Sequence, residues 1–299
     1  MAAATEDWLP LDAVEQKIRE LRSIDLKSAS IDDLKSAVSI IMGGAGHAFP
    51  DLNPNQYIYR ARKFGDASKP MNVAQLSYPP PTLVISDQRV NRAGTSVFYC
   101  CAIPEATYYE LNAKEGDRVV LSKWQFARPP RVNHIGFTPS AFNELGSRRA
   151  PPDFNVGIAH IEHPMIQRDR NKLVEEFLAE VFTVPVVSGQ NDHSYKLSIA
   201  ISEISLTGPG FDGLLYPTVA MSANADNLAL VPQYVDTHVR FVSADYLVVT
   251  HHAPSGTQTE LLDQCVFSSI GGNLEWSGYS PKWYYGGFTS GTVSGTKPR

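Results

Sequence analysis

Cysteine is scarce in this sequence: Cys100, Cys101 and Cys265 are the only three in 299 residues. The number is odd and two are adjacent, so no disulfide framework is expected. Cys100 and Cys101 fall in an apolar stretch with no basic partner nearby in sequence. They read as buried structural thiols rather than nucleophiles. A charge excess is lacking too: 26 Lys and Arg stand against 31 Asp and Glu, a net charge of −5 with a pI near 5.9. That balance offers no general attraction to phosphodiester backbones or anionic lipid, so nucleic acid and membrane are not expected as partners. No apolar run approaches the roughly 20 residues needed to cross a bilayer. The N-terminus, MAAATEDWLPLDAVEQK, lacks the basic-then-apolar layout of a secretory signal. The expected location is cytoplasmic.

Several chemical signatures are missing. There is no Walker A sequence and no GxSxG. His160 and His163 are three apart and His251 and His252 are adjacent, but neither pair comes with the Cys, Asp or Glu spacing of a zinc site, and no metal is expected. Residues 208–213 match GxGxxG in form. They follow a predicted helix and lead into a predicted strand, which is the wrong context for a dinucleotide-binding turn.

What is present is an ordinary globular composition, 43% hydrophobic and 19% charged, long enough for one large domain or two smaller ones. Residues 11–43 read as two short helices: Leu11, Val14, Ile18 and Leu21 recur at helical spacing with Asp12 as a cap. Ser30 starts the second helix and Gly43-Gly44 stops it. This pair reads as an appended element. A strand is predicted from Tyr57, with Tyr57 and Tyr59 on one face and Ile58 and Arg60 on the other. Further strands are expected over 96–102, 117–126, 213–216, 227–231, 238–249 and 261–267, and helices over 104–111, 139–145, 166–182 and 195–206. The rest of 127–164 reads as loop. Helices and short strands without strict alternation argue for α+β with a mixed or antiparallel sheet. The expected organisation is an N-terminal helical extension (1–50), a main domain (51–270) and a tail rich in Gly, Ser and aromatics (271–299). The simplest reading has that tail, with Trp276, Tyr279, Trp283, Tyr284, Tyr285 and Phe288, packing on the domain. A partner surface is the alternative.

The most definite chemical suggestion lies in residues 88–111, QRVNRAGTSVFYCCAIPEATYYEL. Arg89, Tyr99 and Glu110 flank a short apolar strand at regular intervals. An arginine can hold phosphate, an aromatic ring can border a flat heterocycle, and a carboxylate can manage a developing positive charge. Two other segments join them. Tyr59-Arg60-Ala61-Arg62 puts arginine in a half-buried strand, where a salt bridge is the plain explanation. Tyr216-Pro217-Thr218 places a hydroxyl at a strand end.

Taken in order, these segments resemble the RES-domain family. Its early tyrosine-arginine strand is matched by Tyr59-Arg60, and its arginine turn by Gln88-Arg89-Val90-Asn91 with Gly94. Its strand ending in tyrosine and helix ending in glutamate are matched by Tyr99 and Glu110. Its late aspartate-glycine to tyrosine-proline-serine stretch is matched by residues 212–218, and its asparagine-leucine-alanine-leucine run by residues 227–230. The resemblance covers about residues 57–250. Here the family serine is Thr218, and the family glycine before the second arginine is Gln88.

The resemblance implies an ADP-ribosyltransferase-like RES fold and an enzyme that consumes NAD as substrate, with no redox cofactor. ADP-ribose would pass to phosphate or water, as a toxin countered by a cognate antitoxin. The catalytic set it implies is Arg60, Arg89 and Glu110, with Tyr59, Tyr99, Asn91 and Thr218 binding substrate. On that reading Arg60 and Arg89 clamp phosphate and Tyr99 borders the nicotinamide. Glu110 stabilises the cationic ribose, and Thr218 bonds a phosphate or ribose hydroxyl. A non-catalytic interaction protein of the same fold, or an ADP-ribosyltransferase acting on a macromolecule, are the rival readings.

Overall fold

The computed structural model describes residues 9–43, 52–53, 55–65, 68–152, 165–185, 192–207, 210–265 and 272–278. It is α+β. One eight-stranded mixed sheet runs in the order β4-β5-β6-β2-β1-β3-β7-β8. The strands are β1 (Tyr57–Lys63), β2 (Phe98–Cys101), β3 (Arg118–Phe126), β4 (Val132–His134), β5 (Gly213–Pro217), β6 (Asp226–Leu230), β7 (Val239–Ala253) and β8 (Gly256–Cys265). Among the described strands only β4 and β5 pair in parallel. The helices are α1 (Leu11–Ser23), α2 (Ile31–Met42), α3 (Pro104–Glu110), α4 (Pro139–Glu144), α5 (Met165–Thr183), α6 (Lys196–Leu206) and α7 (Pro232–His238). Among the described residues no helix is long and apolar enough to cross a membrane.

Side chains alternate across the pleat, so each central strand feeds two cores. Leu214, Tyr216 and Ala229 share one core with α1, α2, α5 and α6, through Val14, Ile18, Leu34, Val38, Phe177 and Ile201 among others. Leu215, Leu228 and Leu230 point the other way, into a second core with Ile58, Trp124 and Tyr234. The helical pair at the N-terminus is therefore not an appendage. Its apolar faces are covered by α5 and α6, and it closes the same core as the sheet. Ser30 caps α2 by accepting from the Asp33 amide. Asp12 does not cap α1: Pro10 holds the N-cap position, and the Asp12 carboxylate accepts from the Ala13 amide.

The stretch predicted as loop contains β4, and α7 fills the interval between two predicted strands, where no helix was expected. Residues 272–278 of the tail pack on the domain: Leu274 is buried and the Trp276 indole donates to the Pro70 carbonyl. Tyr279, Trp283, Tyr284, Tyr285 and Phe288 lie outside the described residues, as do His160, His163 and the opening Gly208-Pro209 of the GxGxxG match. The rest of that match runs into β5 and opens no helix.

The sheet has one weak seam. β1 pairs with β3 along its whole length, from Tyr57↔Gln125 to Lys63↔Val119. It meets β2 at a single pair, Tyr59↔Cys101. A cleft opens there.

Candidate active site

The cleft has a volume of about 1050 Å³ and is lined from several elements. β1 contributes residues 59–63, β2 contributes Tyr99, Cys100 and Cys101, and α3 ends in it with Tyr109 and Glu110. Tyr216 and Asn227 come from β5 and β6, and Gln88 and Arg89 from the turn before β2. Arg60, Arg89, Tyr59, Tyr99 and Glu110, distant in sequence, thus share one lining.

Arg60 lies across the seam. Its Nη1 donates to the Tyr99 carbonyl at 2.5 Å and its guanidinium sits over the Phe98 ring, 5.5 Å from the centroid. Its Nε is buried with no partner among the described residues. Burial, with the Arg62 guanidinium nearby, pulls the Arg60 value down to about 10, so the group remains charged at neutral pH. Arg62, two residues on and so on the same face of β1, donates from Nη2 to the Ser77 carbonyl at 2.6 Å. Its Nε is buried without a partner among the described residues, and burial lowers its value as well. Arg89 donates to the carbonyls of Phe182 at 2.5 Å and Val184 at 3.1 Å, at the C-terminal end of α5, where the helix dipole favours a cation. It also stands 5.7 Å from the Tyr195 ring centroid. The salt bridge expected for the β1 arginines is not there. Among the described residues none of Arg60, Arg62 and Arg89 meets a carboxylate within ion-pair distance. Carbonyl oxygens orient these guanidiniums without neutralising them.

Glu110 is the last residue of α3, a helix started by Pro104 in its first turn and tied to the β7–β8 hairpin, where Glu105 accepts from the Thr257 amide. Its Oε1 accepts from Thr218 Oγ1 and from Asn227 Nδ2, both at 2.7 Å. Among the described residues Oε2 takes no hydrogen bond. Glu110 is also the single carboxylate among the described residues that line the cleft.

Two predicted substrate contacts are corrected. Thr218 is fully buried and spends its hydroxyl proton on Glu110, so it supports the carboxylate and does not line the cleft. Asn91 is 5% exposed and uses both ends of its amide. Oδ1 accepts from the Tyr99 hydroxyl at 2.6 Å, and Nδ2 donates to the Thr95 and Arg92 carbonyls. It holds the turn that carries Arg89. Tyr99 keeps its ring at the cleft, with its hydroxyl bonded to Asn91 and to the Val90 amide. Burial drives its ionisation upward.

The sequence assigned no role to Arg62, Asn227, Tyr195 or Tyr216. Arg62, Asn227 and Tyr216 lay inside quoted segments, and the order of the motifs drew attention to their neighbours. Tyr195 belongs to the long segment between Glu110 and Asp212, where the resemblance quotes no motif. All three cysteines are buried, and burial raises the Cys100 and Cys101 thiols. Among the described residues no cluster of three or more His, Cys, Asp or Glu is placed to hold a metal.

No family model, curated protein or solved structure matches this chain.

Proposed function

We propose that the protein degrades NAD, cleaving the bond between nicotinamide and ribose and passing ADP-ribose to phosphate or water. One observation carries this reading: Arg60, Arg62 and Arg89, none neutralised by a carboxylate among the described residues, converge with Glu110 on a single cleft. Uncompensated guanidiniums in a partly desolvated groove favour a phosphate-bearing ligand. A single carboxylate beside them suits a cation that forms during reaction. The order of these residues along the chain, which resembles the RES-domain pattern, supports the same reading.

The chemistry follows from the charges. As the C1′–N bond breaks, its electron pair leaves with nicotinamide and neutralises the ring. Positive charge develops on the ribose, where Glu110 stabilises it electrostatically. The acceptor oxygen then bonds C1′, and where the acceptor is water a proton passes to solvent. The arginines hold the pyrophosphate or the incoming phosphate, and Tyr99 borders the base.

The test is incubation of the purified protein with NAD, with and without phosphate, and identification of the products. Arg89→Ala and Glu110→Ala each lower NAD loss by on the order of 10²–10³ while the protein still folds. Arg89→Lys keeps the charge but loses the forked donor, and stays impaired. Undiminished NAD turnover in both alanine variants removes the assignment. Growth arrest on expression is the corresponding readout for a toxin.

A further inference from the structure

Asn227 stands in β6 directly opposite Cys101 of β2 and Tyr216 of β5 and is 4% exposed. Its Nδ2 donates to Glu110 Oε1 at 2.7 Å, and its Oδ1 accepts from the Cys101 thiol at 3.2 Å. An amide has one donor end and one acceptor end. The carboxylate on one side and the S–H on the other select the same orientation. Turned over, the amide would set oxygen against carboxylate oxygen and N–H against S–H.

We propose that Asn227 is the positioning residue that holds Glu110 for the reaction, and that the Cys101 thiol fixes the amide of Asn227 in the orientation this requires. Thr218 supplies the second bond to Oε1. Both fixing bonds fall on one oxygen, and Oε2 is left for the substrate. The catalytic meaning of this contact rests on the functional reading above, but the contact itself is testable without it.

The titratable groups that line the cleft with Glu110 are Tyr59, Arg60, Arg62 and Lys63 from β1, Arg89 from the turn before β2, Tyr99, Cys100 and Cys101 of β2, Tyr109 of α3, Tyr195 before α6 and Tyr216 of β5; Cys101 and Tyr216 feel the Glu110 charge. None is a carboxylic acid. Asn227→Asp therefore sets a second carboxylate against Glu110, and two acids in contact hold a shared proton to higher pH. The folded state binds that proton more tightly than the unfolded chain does. The stability it contributes is present at low pH and lost as pH rises.

The expected result is a thermal-midpoint gap between Asn227→Asp and wild type that widens by about 2–4 °C from pH 5 to pH 8. In the Glu110→Gln background the gap widens less, because burial alone then holds the introduced acid's proton. In NAD turnover, Asn227→Asp loses most activity at pH 6 and regains part of it at pH 8.5. Cys101→Ala lowers turnover roughly tenfold, the effect of losing one such bond, and Cys101→Ser, which restores a donor, recovers toward wild type. The cysteine pair carries the test should Asn227→Asp fail to fold. A pH-independent gap, or Cys101→Ser no better than Cys101→Ala, overturns the proposal. If the gap behaves as expected while wild type consumes no NAD, the positioning contact stands and the functional reading falls.

Discussion

Arg62 is the residue on which charge and geometry most clearly exceed the sequence pattern. It shares the strand face of Arg60, meets no carboxylate among the described residues, and lines the cleft. Arg62→Ala is expected to raise the KM for NAD roughly tenfold or more, as loss of a charge-assisted bond does, with a smaller effect on kcat. Steady-state kinetics over a range of NAD concentrations checks this, and an unchanged KM would show that Arg62 faces no ligand. Residue type and chain order singled out Arg60, Arg89 and Glu110 in the sequence, and the structure sets the three in one lining. The roles of Asn91 and Thr218 were not legible there. A hydroxyl or an amide can bond a ligand or the protein's own turn equally well, and only the spatial arrangement shows that Thr218 gives its proton to Glu110 while Asn91 braces Tyr99.

Among the elements, those with strong local signals were the legible ones. Ser30 announces α2, and its side chain does accept from the Asp33 amide. Ser30→Ala is expected to cost about 1 kcal/mol, a fall of about 2–4 °C in thermal midpoint, measurable by circular dichroism. No shift at all would mean that the exposed end of α2 frays without consequence. The elements that escaped notice are short. β4 has three residues, too few for alternation to register. α7 buries only Tyr234 and Val235, one apolar turn between two predicted strands and too little for a helical period to register. Asp12 failed as a cap because the chain enters α1 through Pro10, which sets the helix start ahead of the acid and leaves Asp12 inside the first turn.

For the molecule as a whole, acid sensitivity follows from its carboxylates. Hydrogen bonding from Lys63 lowers Asp117, and the Arg92 bond lowers Asp32. Burial pushes Asp263 up, but bonds from Lys69, Ser277 and the Gln264 amide more than offset it. A carboxylate held below its ordinary value contributes stability above the unfolded value near 4 and loses it as pH falls through the folded value. Burial raises Asp245, which acts in the opposite sense and softens the effect. The thermal midpoint is expected to be nearly level from about pH 8 to pH 5 and to fall steeply below about pH 4. A midpoint undiminished at pH 3 would contradict it.

At this scale the α+β class was legible, since helix and strand signals mix without alternation. Strand order was not, because pairing is set by contacts far apart in sequence. Nor was the place of α1 and α2: an amphipathic face shows that something covers it and leaves the cover unnamed.

The junction of β1 and β2 has a mechanical consequence. With one rung between them, at Tyr59 and Cys101, the two halves of the sheet are fastened at a point where every neighbouring strand pair is laced along a length. A molecule seated in that gap would touch Arg60 and Arg62 on one bank and Tyr99, Tyr216 and Asn227 on the other. It would act as the missing lacing, and amide protons along both banks would exchange more slowly once it is in place.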